Sequence, residues 1–198
     1  INLRKEKYDI CLVSESFSRR NELFGKKNFE TQAVLLTKFV IRFCERNNKK
    51  FVFSLKYSNK KSELFYYKKY LSTSEYAYLI KNSKKRENEF SSYLTMSQSK
   101  VSVAIITTLL SEIMSTNKKI LACNLTPTNL WDFPIKGICA IKNCDYDKFE
   151  KRLLKIYKMS KKNYFQKIEK NKNYLVDYEK NYSAIRKIKD KINYFLSL

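Results

Sequence analysis

The chain has 198 residues, enough for one domain or for one domain with a helical extension. Its 41 Lys and Arg against 19 Asp and Glu give a net charge of +22, but 43% hydrophobic and 15% aromatic residues indicate a folded core rather than a disordered polycation. Histidine is absent, which excludes Ser-His-Asp and Cys-His nucleophile systems, HExxH metal sites and histidine acid–base chemistry.

The first half of the chain predicts strands and helices in alternation. Apolar runs and helical spacing give a strand, a helix and a second strand, over residues 8–13, 29–46 and 51–55. Residues 58–99 are less regular, and there we predict a helix, a short strand, and a charged loop with a short helix, over 63–71, 76–80 and 84–97.

The second half is more regular. We predict apolar strands over 101–106, 119–123 and 137–141. A turn at Thr107 and Thr108 and a short helix over 109–116 follow the first of them. Asp147 and Glu150 have the spacing of a capping box that starts a long helical region with one or two breaks, ending at Leu198.

These strands are apolar throughout and are separated by helices, which is typical of a parallel sheet covered on both faces. We therefore predict an α/β fold with a doubly wound, mostly parallel Rossmann-like sheet. The predicted boundaries are a sheet domain over 1–147 and a basic, helical C-terminal region over 148–198. That region is more densely positive than the rest. It could face an anionic membrane, pack on the domain, cross to a missing N-terminal half, or be only a solvated face.

In such sheets ligands bind beyond the carboxyl ends of the strands. The residues that follow the predicted strands there, and so could line a site, are Ser14, Glu15, Ser16, Lys56, Thr107, Thr108 and Asn124. The hydroxyls of Thr107 and Thr108 and the first free N–H groups of the next helix would form an anion pocket. Glu112 lies one turn further on, where a carboxylate can accept the paired hydroxyls of a ribose. The alternative is that Thr108 only caps the helix and Glu112 is only surface charge.

Metal chemistry finds little support in the sequence. Cys139 and Cys144 have no second pair and no His to complete a zinc site. Asp145 and Asp147 form a D-x-D pattern, but their position directly before a helix favours capping. The odd number of cysteines, three of them in apolar runs, favours reduced thiols and a cytoplasmic location. No metal and no separate cofactor is expected.

The segment KVSVAIITTLLSEIMSTNKKILACN, residues 100–124, resembles the nucleotide-binding segment of GT-B glycosyltransferases that build bacterial surface polysaccharides. The residues that match its pattern in order are Thr107, Thr108, Leu109, Glu112, Lys118, Lys119 and Asn124. The pieces at 8–16 and 91–100 resemble the flanking parts of that domain. The resemblance implies that Thr107 and Thr108 hold the donor phosphate, that Glu112 holds the ribose, and that Ser14 and Ser16 line the cleft. The loop from Asn124 to Trp131 would lie near the sugar.

A GT-B enzyme has two Rossmann-like halves, and this chain is long enough for only the C-terminal, donor-binding half. The chain also begins at Ile1, so we expect that an upstream portion is missing, and no catalytic base is assigned. The resemblance implies metal-independent transfer of a sugar from a nucleotide donor to a saccharide or lipid-linked acceptor. Donors of related enzymes are CMP-linked Kdo or sialic acid, UDP or GDP sugars, and CDP-linked polyol phosphates.

Two alternatives stay open. One is a polyol-phosphate transferase on the same scaffold. The other is a non-catalytic α/β module that binds RNA or DNA through its basic end. Most of the basic residues are Lys, whereas nucleic-acid readers usually rely on the bidentate fork of Arg, so we do not expect a nucleic acid as the main partner.

Overall fold

The computed structural model describes residues 6–15, 26–56 and 60–168. Its six strands are β1 Tyr8–Val13, β2 Phe51–Ser54, β3 Ser83–Lys84, β4 Ser99–Ala104, β5 Lys119–Asn124 and β6 Ala140–Lys142. Its helices are α1 Lys26–Arg46, α2 Lys60–Lys68, α3 Thr73–Lys81, α4 Ser91–Ser97, α5 Thr108–Ser115, α6 Tyr146–Lys158 and α7 Lys161–Gln166. Ser16, and the predicted helices beyond residue 168, lie outside the described residues.

The strands form one sheet in the order β3-β2-β1-β4-β5-β6, and every neighbouring pair is parallel. The register places Ile10 of β1 beside Phe51 of β2 on one side and beside Val101 of β4 on the other. All three of these side chains are buried. The fully apolar strands therefore occupy the centre of the sheet, as expected for a parallel sheet shielded on both faces.

Helices cover both faces of the sheet. Helix α1 packs against α3 and α6, whereas α4 packs against α5. On the first face the ring of Phe39 contacts those of Tyr146 and Phe149, each with centroids 5.5 Å apart. This arrangement confirms the predicted doubly wound, Rossmann-like α/β fold. Within the described residues no helix is long and apolar enough to span a bilayer.

Several predicted elements differ from the structure. The strand predicted over 76–80 is part of helix α3, because Ser72 and Glu75 form a capping box that starts a helix there. The last strand begins at Ala140 rather than at Gly137, whose φ of +105° lies in the left-handed region that favours glycine. The two-residue strand β3 was not predicted.

The start of α6 also differs from the prediction. Its N-cap is Asp145, whose carboxylate accepts a hydrogen bond of 2.8 Å from the backbone N–H of Lys148. The capping box predicted at Asp147 and Glu150 is therefore wrong. Glu150 instead accepts hydrogen bonds from Arg46 and Asn47 of α1 and its following turn, at 3.1 and 3.0 Å. The interpretation of the D-x-D pattern as a helix cap agrees with this geometry.

Candidate functional site

Strands β1 and β4 are neighbours at the centre of the sheet. From β1 the following strands are added on one side, and from β4 they are added on the other. The chain leaving β1 enters α1 on one face, and the chain leaving β4 enters α5 on the other. A crevice opens at such a switch point, at the carboxyl edge of the sheet. Ser14 and Glu15 follow β1, Thr107 and Thr108 lie between β4 and α5, and Asn124 ends β5. The structure therefore brings the predicted positions to one edge.

Thr107 is the N-cap of α5. Its backbone is extended, with φ of −154°, and its hydroxyl accepts a hydrogen bond of 3.4 Å from the N–H of Leu109. Thr108 is the first helical residue and is exposed, and its hydroxyl has no hydrogen-bond partner among the residues described. Capping, which the sequence assigned to Thr108 as the alternative role, belongs to Thr107.

Glu112 lies one turn after Thr108 on the same side of α5, and it is half-buried. In the part of the chain that the structure describes, its carboxylate makes neither an ion pair nor a hydrogen bond. The opposite side of the helix carries the buried residues Leu110, Ile113 and Met114. Helix α5 thus presents one hydroxyl and one carboxylate with free hydrogen-bonding capacity at the carboxyl edge.

The inner part of this edge, below β1, is tightly packed. Ser14 and Glu15 are buried, at 3% and 4% exposure, and the Ser14 N–H donates to the Ser54 carbonyl at 2.9 Å. Glu15 lines a cavity of about 10 Å³, which has room for about one water molecule. Burial raises the pKa of Tyr67 in the same wall, the Ser14 hydroxyl opposes this shift, and the carboxylates of Glu63 and Glu15 add to it. Among the predicted positions that the structure describes at this edge, Thr108 at the start of α5 is the exposed one.

Two other predicted residues have structural contacts. The backbone N–H of Lys56 donates to both carboxylate oxygens of Glu63 at 3.2 Å, and its carbonyl accepts from Arg86 at 3.4 Å. Asn124 donates to the Thr128 carbonyl at 2.7 Å and to Asp132 at 2.6 Å. Its amide oxygen accepts from the N–H and the hydroxyl of Thr126. Asn124 therefore shapes the loop that follows β5.

Sequence reasoning missed a larger cavity beside that loop. It has a volume of about 340 Å³, and its polar lining residues are Asn124, Asn129, Asp132, Lys136 and Lys142. The Lys142 ammonium lies 3.4 Å from a carboxylate oxygen of Asp132 and also donates to Asn129. These residues come from a loop and from β6 and form no local motif, so only the packing of β6 beside β5 brings them together.

The Lys118 and Lys119 pair, which matches the GT-B pattern, lies at the opposite, amino edge of the sheet. The Lys119 ammonium donates to the carbonyls of Ile156, Tyr157 and Met159 at 2.7, 3.0 and 2.8 Å, and so caps the end of α6. Burial lowers its pKa to about 8. Lys118 is buried and lies 3.7 Å from Glu6. Neither lysine reaches the crevice.

Acidic and thiol groups do not gather into a metal site in the described ranges, where no group of three or more could hold an ion. The five cysteines are all free thiols, and burial raises the pKa of Cys11 to about 12. Four of the thiols are buried and behave as small apolar groups of the core, whereas Cys144 is half-buried beside it.

Comparison with known proteins supports the fold. No family model matches the sequence, and no curated protein matches it. The structure is similar to sucrose-phosphate synthase from Thermosynechococcus elongatus, with a TM-score of 0.54 and 16% sequence identity. The match covers 96% of this chain and 46% of that one. The likeness supports the Rossmann-like α/β fold alone, and the chain spans less than half the length of the protein it resembles.

Proposed function

We propose that this chain is the donor-binding half of a metal-independent glycosyltransferase, which moves a sugar from a nucleotide-sugar to a surface polysaccharide or glycolipid. The observation that carries the proposal is the exposed N-terminus of α5 at the switch point of a doubly wound sheet. There the Thr108 hydroxyl and the Glu112 carboxylate, one turn apart, have no partner in the described part of the protein. A glycosyltransferase-like fold is consistent with this function.

In the proposed mechanism the donor diphosphate or monophosphate lies against the first turn of α5. The N–H groups of that turn and the hydroxyl of Thr108 stabilise the negative charge that develops on the leaving phosphate, while the sugar passes through an oxocarbenium-like state. The Glu112 carboxylate accepts hydrogen bonds from the ribose hydroxyls and fixes the nucleotide. The loop from Asn124 to Trp131 lies towards the sugar.

The catalytic base and the remaining contacts to the acceptor would come from a second, N-terminal Rossmann-like half. In this proposal residues 1–147 form the donor domain, and the basic region 148–198 either packs on it, crosses to the other half, or faces an anionic inner membrane from the cytoplasm. CMP-linked Kdo or sialic acid is the first donor to test, and a CDP-linked polyol phosphate would make the chain a polyol-phosphate transferase.

A thermal-shift experiment with CMP, CDP, UDP and GDP tests the proposal on the full chain. One nucleotide is expected to raise the melting temperature, because a ligand that binds only the folded state stabilises it by about 2.7 kcal/mol at 100 times its Kd. Glu112→Gln is expected to remove most of this shift, since a neutral amide replaces the carboxylate that accepts both ribose hydroxyls. Glu45→Gln is the matched control, because Glu45 is an exposed helical carboxylate at the other edge of the sheet.

Indifference to all four nucleotides would contradict the proposal. If the chain instead bound single-stranded RNA with an affinity that falls steeply with salt, the nucleic-acid alternative would replace it. An equal loss of the nucleotide shift in both glutamate variants would show that Glu112 has no specific role in the site.

A further inference from the structure

A second cavity lies next to the one beside the Asn124 loop. It has a volume of about 330 Å³ and lies between β6 and α6, and its charged lining residues are Lys142, Lys148, Lys151, Arg152 and Lys155. Ile141 and Lys142 line both cavities, which therefore meet along β6. We call the two together the basic groove. It begins at the carboxyl edge of the sheet and continues along α6.

The side of α6 that faces the groove is positively charged over two turns. Lys148, Lys151 and Lys155 are exposed and follow helical spacing, so the charges span roughly 10 Å. Lys148 lies 3.8 Å from Asp145, whereas Lys151 and Lys155 form no ion pair within the described ranges. The buried side of the helix carries Phe149, Leu153 and Ile156. The groove therefore favours an extended anionic ligand.

The first cavity has a different lining. Asp132 accepts hydrogen bonds from Asn124 and Lys142, so the wall is ordered before any ligand arrives. Amide and carboxylate oxygens beside the apolar ring of Phe133 are the groups that bind the hydroxyls and C–H faces of a sugar. A carboxylate in the wall disfavours a ligand that carries only phosphates. Together the two cavities match a ligand with both hydroxyls and negative charges.

Three other occupants fit the groove less well. Arg152 donates to the carbonyls of Gly137 and Ala140 at 2.6 and 2.9 Å, so it covers the edge of β6 against an added peptide strand. None of the described residues that line the α6 cavity is aromatic, so these residues offer nucleic-acid bases no ring to stack on. Insertion of this helix face into a membrane surface would require exposed apolar residues beside the lysines, and the large exposed apolar side chains among the described residues are Phe65, Tyr70, Ile80, Phe90 and Leu130. None of these lines either cavity.

We infer that the basic groove binds an acidic saccharide chain, with its sugar hydroxyls at Asp132 and its carboxylates along Lys148, Lys151 and Lys155. Because the groove starts at the same edge as the proposed donor site, the saccharide bound there would be the acceptor. That last step rests on the proposed function, whereas binding of the saccharide to the groove does not.

Fluorescence anisotropy with labelled polygalacturonate fragments, which carry one carboxylate per sugar, tests the inference on the full chain. The double variant Lys151→Ala/Lys155→Ala is expected to weaken binding about tenfold, as the loss of two exposed ion pairs allows, and to reduce its salt dependence. Lys81→Ala/Lys85→Ala removes the same charge from exposed residues at the opposite end of the sheet, and it is expected to bind like the unchanged chain. Neutral dextran fragments of equal length are expected not to bind.

Equal weakening in both lysine pairs would overturn the inference, because it would show that only net charge matters. The groove would be assigned to RNA or to a membrane if poly(U) RNA or phosphatidylglycerol vesicles bound more tightly than polygalacturonate and Lys151→Ala/Lys155→Ala weakened that binding. The nucleotide shift separates the two proposals. If polygalacturonate binds through these lysines but no nucleotide does, the saccharide site stands and the transferase fails. If only the nucleotide binds, the proposed transferase stands and the saccharide site fails.

Discussion

The two edges of the sheet carry similar polar residues, but these differ in whether their side chains have hydrogen-bond partners. At the amino edge Asp9 accepts hydrogen bonds from the Lys50 N–H at 2.9 Å and from the Tyr157 hydroxyl at 2.8 Å, and it lies 3.0 Å from the Lys100 ammonium. Burial raises the pKa of Asp9, but these contacts outweigh it and hold the pKa below its usual value. At the carboxyl edge Thr108 and Glu112 have no such partners in the described part of the chain.

This difference separates residues that hold the fold together from residues that remain available to a ligand. A buried polar group without a partner destabilises the folded state, so a group whose hydrogen bonds are all made is explained by stability alone. Lys119 is the clearest case. It matches the glycosyltransferase pattern, but its three hydrogen bonds to the end of α6 account for its position.

Substitution of Lys119 is expected to have the largest effect at the amino edge. Lys119→Met keeps most of the side-chain volume but removes the ammonium that donates to three carbonyls at the end of α6. We expect a loss of about 3 kcal/mol in the free energy of unfolding, and a melting temperature lower by about 10 °C. Urea denaturation followed by circular dichroism measures the change. Lys162→Met, at an exposed position of α7, is the control and is expected to be neutral.

A loss below about 0.5 kcal/mol in Lys119→Met would show that the three carbonyls find other partners, and the contrast between the edges would not hold. A loss of the nucleotide shift without a loss of stability would place Lys119 in the site instead.

Tyr164 is expected to have the next largest effect. Its hydroxyl donates to the Ile120 carbonyl at 2.8 Å and accepts from the Ile120 N–H at 3.1 Å, at a point of β5 that β6 does not reach. Tyr164→Phe leaves both backbone groups without a partner, and we expect a loss of about 2 kcal/mol. Tyr70→Phe, at a position 47% exposed, serves as the control in the same denaturation experiment. Equal stability of the two variants would contradict this role of Tyr164.

The sequence predicted the fold well where local signals sufficed. Strand β1 has the predicted limits, because an apolar run between polar turns has one interpretation in a buried sheet. Helix α3 was missed because the aromatic residues at 76 and 78 favour a strand. The capping box formed by Ser72 and Glu75 starts a helix there instead. Strand β3 has two residues and carries no pattern that could be detected.

The candidate site divides in the same way. Thr107, Thr108 and Glu112 are close in sequence, so their spacing on a helix could be predicted. The role of Lys119 depends on carbonyls 37 to 40 residues away, and the basic groove depends on β6 lying beside β5. Such contacts follow from the order of strands, which the sequence pattern did not specify.

The smallest expected effects come from substitution of the two threonines at α5. These neighbouring residues compare a hydroxyl that stabilises the fold with one that remains available to a ligand. Thr107→Ala removes a cap with a long hydrogen bond of 3.4 Å, so we expect it to lower stability by about 0.5 kcal/mol. Thr108→Ala removes an exposed hydroxyl without a partner and is expected to leave stability unchanged while reducing the nucleotide shift. Measurement of both quantities on both variants separates capping from binding. If Thr108→Ala kept the full nucleotide shift, this hydroxyl would have no part in holding the phosphate, and only backbone N–H groups of α5 would remain for that task.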